Sequence, residues 1–287
     1  MQYLVGARSA TIRFGDFTAV DGVDLDVVSG EVVGLLGANG AGKTTLIRML
    51  LGLLMPARGS VSLFGRRPSR ATRRRLGYVP QSLGLYDDLT VGENWAFTTA
   101  AFGVADSTVP ESFAGYRHEL VGDLSLGLQR RVAFAAAFSH HPELLVLDEP
   151  TSGVGPLSSS RLWEDIRASA EHGTGVLVTT HNMEEAEQCD RLVVMAEGQV
   201  VATGTLGQII GDRRVVQVDC ADWRSAFTAL DSDGLIVEVL GDRLRVPGTP
   251  EHVEELLHRH HLAGDVSVVP ANLEEAFVDI VTKAPHR

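Results

Sequence analysis

Over the first two-thirds of the chain, short apolar runs alternate with stretches whose apolar residues recur at helical spacing. That alternation predicts a parallel sheet covered by helices. Val32 to Leu36 is uninterrupted and apolar and stops at a glycine-rich loop. The spacing then predicts a helix over 43–54, ending before Pro56. Leu144 to Leu147 is another apolar run, bounded by Pro142 and the acidic pair Asp148–Glu149, and Val176 to Thr180 and Arg191 to Met195 read the same way. Between them, Leu162, Trp163 and Ile166 mark a helix over 158–169 with serines available as caps.

Asp88 to Gly122 differs, being rich in Ala, Phe, Thr and Trp. Val91 to Phe102 fits a helix, and an inserted helical subdomain is expected over about 88–140. After Gly211 the pattern changes again. Strand-like Val215–Val218, a helix near Trp223–Leu230, strand-like Leu235–Val239, a Gly-Asp turn, Leu244–Val246, a helix at His252–His260 and Val266–Val269 follow in order, with a last helix at Leu273–Val281. This is β-α-β-β-α-β, the split βαβ or ferredoxin-like pattern of a small α+β domain. The expected domains are therefore 1–211 and 212–287.

Composition narrows the class. With 287 residues, 44% hydrophobic and 22% charged, the chain is neither disordered, collagenous nor a disulfide scaffold. No run of 18 apolar residues spans a bilayer, and MQYLVGARSA lacks a basic region followed by an apolar core, so no secretory signal is expected. The two cysteines suit a reducing compartment, so a cytoplasmic location is expected. A net charge of −12 argues against a nucleic-acid partner. Of the 25 basic residues only Lys43 and Lys283 are lysine, so Lys43 stands where a compact ammonium is wanted instead of a planar fork.

Lys43 lies in Gly37-Ala-Asn-Gly-Ala-Gly42-Lys43-Thr44, which fits G-x-x-x-x-G-K-[ST] between a buried strand and a helix. Glycines let backbone N–H groups turn inward around a phosphate, and the helix N-terminus adds positive potential. Lys43 is expected to reach the outer phosphates and Thr44 to ligate Mg²⁺. Asp148, at the end of an apolar strand, is expected to hold the metal through water. Glu149, one residue on, is placed to deprotonate an attacking water.

With these residues the chain resembles the ATP-binding subunits of ABC transporters over residues 4 to about 210. It is most similar to those serving ABC-2 type drug or polysaccharide exporters. Five further segments carry the resemblance in the family's order: Arg13-Phe14-Gly15, Tyr78-Val-Pro-Gln81, Leu124-Ser125-Leu126-Gly127-Leu128-Gln129, Glu149-Pro-Thr-Ser-Gly153 and Thr180-His181. The resemblance implies a P-loop NTPase fold and ATP with Mg²⁺ as ligands. Gly37, Asn39, Gly40, Ala41, Gly42, Lys43, Thr44 and Thr45 become the phosphate cradle, and Phe14 the aromatic that stacks on adenine. Gln81 contacts Mg²⁺ or the attacking water, and His181 the γ-phosphate. Ser125 and Gly127 touch the ATP of an opposing subunit. It further implies a second ATPase subunit, identical or different, and a separate integral-membrane permease of ABC-2 type that holds the chain on the inner face of the membrane. Two other readings stay open: a soluble ABC ATPase without transport, and a weakly hydrolysing regulatory clamp.

Two residues depart from the family pattern. Leu126 stands where the signature has Gly, bringing a branched side chain to a point of close backbone approach. Gly155 stands where the family has an Asp that communicates across the dimer. The half of the site offered to a partner is expected to be impaired: one of two composite sites in a heterodimer, both in a homodimer, where turnover should be slow. Asp88 to Leu124 is also short for this subfamily by about one or two helical turns. Arg66, Arg67, Arg70 and Arg73 to Arg75 read as a solvated face, and His252, His258, His260 and His261 as a helix surface.

Overall fold

An apolar run without polar alternation is satisfied only in a sheet covered on both faces, and that is where these runs lie. The computed structural model describes residues 3–284. In chain order the first elements are β1 (Val5–Phe14), β2 (Phe17–Val27), β3 (Val32–Leu36), α1 (Lys43–Leu50), β4 (Arg58–Leu63), α2 (Arg70–Arg73) and β5 (Leu76–Val79). Next come α3 (Val91–Phe102), α4 (Leu126–Phe138), β6 (Leu144–Asp148), α5 (Pro156–Glu171), β7 (Gly175–Thr180), α6 (Met183–Ala186), β8 (Arg191–Ala196) and β9 (Gln199–Gly204). Every residue of β3, β6 and β7 is buried.

The main sheet has the order β5-β6-β7-β3-β8-β9. It is parallel throughout except for β9, which pairs antiparallel with β8. Because β3 sits between β7 and β8 although it precedes both, the carboxyl ends of β3, β6 and β7 emerge side by side. Loops at such strand ends are where ligands bind in open α/β sheets. A second sheet, β2-β1-β4, is antiparallel and shares its apolar core with α1 through Ile12, Val20, Leu46 and Leu50.

Between β5 and β6 lies the helical insertion. Thr90 caps α3 in a reciprocal box with Glu93, and Gly103 at φ 75° closes it. Its own small core contains Val91, Trp95, Phe113, Val121 and Val132. The link from α3 to α4 is built of two 3-10 turns, Glu111–Tyr116 and Val121–Asp123.

The chain divides after Leu206 into two compact units, the second running Gly207–Lys283. The pattern change at Gly211 lies just inside it, since α7 (Leu206–Ile210) falls almost wholly within the second unit. That unit contains β10 (Arg214–Asp219), α8 (Trp223–Ser232), β11 (Glu238–Leu240), β12 (Arg243–Val246), α9 (Pro250–Arg259), β13 (Asp265–Pro270) and α10 (Leu273–Thr282). Its sheet has the order β11-β12-β10-β13, all antiparallel, as the split βαβ pattern requires. Val216, Val218, Leu244 and Val246 on one face pack with Leu230, Val253 and Leu257 in a core of its own.

Candidate nucleotide site

The loop after β3 is held by glycines that nothing larger can replace. A Cβ on Gly37 would stand 2.5 Å from the Met195 carbonyl oxygen, and one on Gly42 2.4 Å from that of Ala19. Gly42 also has φ 99°, a conformation L side chains rarely adopt. It is the N-cap of α1 and offers no side chain to the helix, whose first turn carries no acid. The free N–H groups of that turn therefore face outward as a ready anion site. Asn39 and Gly40 are exposed at the loop's crest, while Ala41 is buried and Thr45 half-buried behind it.

Lys43 folds back across the loop, donating to Gly37 O at 2.6 Å and Ala38 O at 3.1 Å. It is almost fully buried, and burial lowers its ammonium pKa below the ordinary lysine value, opposed by the nearby charges of Glu149 and Asp148. Its Nζ lies 3.9 Å from Glu149 Oε1.

Two carboxylates come from the end of β6. Thr44 Oγ1 donates to Asp148 Oδ1 at 3.3 Å, and Thr179 Oγ1 donates to the same oxygen at 2.7 Å. The Thr179 hydroxyl also accepts from the Glu149 amide at 2.9 Å, so one side chain on β7 orients both acids. Glu149 takes φ 51°, a strained value for a side chain of this size. Arg130 of α4 holds the backbone around it, donating to Glu149 O, Pro150 O and Ser152 O at 2.9, 3.0 and 2.6 Å. The Glu149 carboxylate is a meeting point: Gln81 Nε2 donates to Oε2 at 3.2 Å, and His181 Nδ1 lies 3.5 Å from Oε1.

One carboxylate at the end of β6 and one hydroxyl in the first turn of α1 are a sparse set of hard oxygen donors. They suit a Mg²⁺ that brings water and phosphate oxygens with it, and not a cage built by protein alone. Among the described residues no group of three or more His, Cys, Asp or Glu forms such a cage.

The family model for the ABC transporter matches residues 20–152. A Nod factor export ATP-binding protein I of Burkholderia orbicola (strain AU 1054) is 37% identical over 299 residues, covering 94% of either chain. The chain belongs to the ATP-binding subunits of ABC transporters. A probable multidrug ABC transporter ATP-binding protein, YbhF of Escherichia coli (strain K12), is 40% identical over 214 residues. The match takes in 70% of this chain but 37% of that relative, so the chain spans little more than a third of YbhF's length. A solved structure of an ATP-binding subunit of an ABC transporter superposes with a TM-score of 0.67 at 30% identity, covering 72% of this chain and 91% of that one.

Within this ATP-binding subunit, Thr44, Lys43, Asp148, Glu149, Gln81 and His181 converge. Phe14 is not among them. It ends β1 in the antiparallel sheet, paired with Phe17 and half exposed. Ser125 is the N-cap of α4, accepting from Leu128 N at 3.4 Å, and Gly127 is pressed against Ser158. Neither makes a hydrogen bond to the Lys43–Glu149 cluster, although α4 reaches it through Arg130. Leu126 is exposed and leans on the loop after Glu149, where a Cβ on Gly153 would stand 3.1 Å from its Cδ2. Gly155 caps α5 with open space around it.

Four contributors escaped the sequence reading: Arg130, Thr151, Thr179 and Glu185. Glu185 is buried and joins the loop after Glu149 to the strand before His181. Thr151 Oγ1 donates to its Oε1, and Thr180 Oγ1 donates to its Oε2 at 2.7 Å. Beside this bridge lies a cavity of about 430 Å³ lined in part by Glu149, His181 and Asn182. None of the four had a usable signal in the sequence: Thr179 stands opposite Asp148 only through the parallel β6–β7 register.

Proposed function

We propose that this chain binds and hydrolyses MgATP and energises a separate ABC-2 type membrane permease for export, working on the inner face of the membrane. The observation that carries it is the convergence of Lys43, Gln81 and His181 on the single carboxylate of Glu149, beside an Asp148 oxygen shared by Thr44 and Thr179. The amides of the loop and of the first turn of α1 bind the phosphates. Lys43 exchanges its two loop carbonyls for phosphate oxygens, where its charge is better satisfied. Thr44 and Asp148 would hold Mg²⁺, which neutralises developing phosphate charge. Glu149 accepts the proton of the attacking water, and Gln81 and His181 hold that water and the terminal phosphate in line. The chemistry is positioning plus electrostatics.

A second ATPase subunit, the same or different, completes the site with its Ser125- and Gly127-type contacts. Leu126 and Gly155 weaken what this chain offers in return, so turnover is slow. Nod factor and multidrug export are what the relatives are named for, and they support the export direction. No helix among the described residues is long and apolar enough to cross a membrane, which fits a permease supplied by another chain.

The test is Glu149→Gln in the complex with the permease. ATP turnover should fall at least a hundredfold while ATP stays bound. Turnover at the wild-type rate removes Glu149 as base. Intact ATP binding with no measurable hydrolysis by the wild type supports the regulatory clamp instead.

A further inference from the structure

Charge along this chain is segregated. Residues 32–86 hold nine basic side chains and no acidic one, whereas the rest holds sixteen basic against thirty-seven acidic. Three of the nine are occupied: Lys43 in the site, Arg73 donating to Leu51 O at 3.2 Å, and Arg75 in a bidentate pair with Glu143 at 2.6 Å. Arg66, Arg67, Arg70 and Arg74 are all exposed, and none of them enters an ion pair among the described residues.

The fold gathers these four on one surface and adds apolar side chains to it. The loop after α1 runs against the segment between β4 and α2: a Cβ on Gly52 would meet Pro68 at 2.5 Å, and Arg67 Nη2 reaches Met55 Sδ at 3.6 Å. That contact sets Met55, 60% exposed, beside Arg67, with Leu53, 58% exposed, two residues before it in the same loop. Arg70 and Arg74 are one turn apart around α2 and share a face. A solvated face needs no exposed leucine and methionine, and a nucleic-acid surface would offer aromatic rings for stacking. Arginines around protruding aliphatics are the chemistry of a bilayer interface, where the charge meets anionic headgroups and the aliphatics enter the acyl boundary.

We propose that Leu53, Met55, Arg66, Arg67, Arg70 and Arg74 form a docking surface for an anionic lipid bilayer. On a chain of net charge −12 the patch also orients, because it is a local basic area on an acidic molecule. Nothing in it depends on nucleotide chemistry, so it stands or falls apart from the function proposed above.

The test is flotation of the full chain with vesicles of phosphatidylcholine alone or mixed with phosphatidylglycerol, at low and at raised salt. The chain should bind the anionic vesicles, ignore the neutral ones and be released by salt. Arg66→Gln, Arg67→Gln, Arg70→Gln and Arg74→Gln together should weaken binding about a hundredfold or more, each arginine near an anionic surface being worth roughly a fivefold factor. MgATP binding should stay unchanged in that variant. If the fourfold variant does not fold, the pairs Arg66→Gln/Arg67→Gln and Arg70→Gln/Arg74→Gln should each cost about tenfold or more. Failure of the wild type to bind, equal binding to neutral vesicles, or unweakened binding by the variants overturns the proposal. So does displacement by polyuridylate at concentrations that leave a bare polybasic peptide on the vesicles, which would mark a nucleic-acid surface.

Discussion

The hydroxyl of Thr179 is fully buried, donates to Asp148 and accepts from the amide of Glu149. Thr179→Val keeps the shape and removes both bonds. It should lower ATP turnover by about ten- to a hundredfold and stability by roughly 1–3 kcal/mol, the cost of leaving buried polar groups unpaired. Steady-state hydrolysis and urea unfolding check the two halves. Lys43 gives a pH signature. Its folded pKa is depressed by burial, so the unfolded chain binds more protons in the window between that depressed value and the ordinary lysine value of 10.5. In that window the nucleotide-free protein should gain stability as pH rises. Lys43→Met should lose this slope and, at neutral pH, be more stable than the wild type without nucleotide. A less stable Lys43→Met protein would mean that Glu149 and Asp148 outweigh the burial. Lys43 itself was legible from a motif, whereas Thr179 was not. Its role exists only because β6 and β7 are neighbours in register, a pairing that apolar runs alone do not specify.

Among the elements, α4 links the segment Ser125 to Gln129 to the loop of Glu149. Arg130 grips three carbonyls around Glu149, while the first helical residue, Leu126, leans on Gly153 of the same loop. Leu126→Gly frees that approach at a cost of about 0.5–1 kcal/mol in helix stability. In a confirmed dimer it should raise turnover about fivefold, a barrier change of ~1 kcal/mol. An unchanged rate there would remove Leu126 as a cause of the slow turnover proposed above. The helices and strands themselves were largely readable. The expected end of α1 ran on to Leu54 because its residues stay apolar, but Gly52, at φ 70°, ends the helix at Leu50. The expected strand at Leu235 starts at Glu238, since Gly234 at φ 85° turns the chain out of α8 and the Leu235 amide bonds to Leu230 O. In both cases glycine backbone geometry overrode an apolar pattern. Arg130 and Glu185 were unreadable for a different reason: their partners are backbone carbonyls and hydroxyls, which leave no trace in charge or hydropathy.

Over the whole molecule, two units with separate cores divide the labour. The first holds every residue placed in the nucleotide site, and the second has no assigned chemistry. The acidic balance that argues against nucleic acid conceals a stretch from 32 to 86 without an acidic residue, which contains both the phosphate loop and the arginine surface. All of this turns on a triphosphate held by Lys43 and the glycine loop. The most direct measurement is equilibrium binding of MgATP to the full chain and to Lys43→Ala. Saturable uptake by the first, weakened at least a hundredfold in the second, is the expected result. No uptake by the wild type, or uptake that Lys43→Ala leaves unchanged, would contradict it.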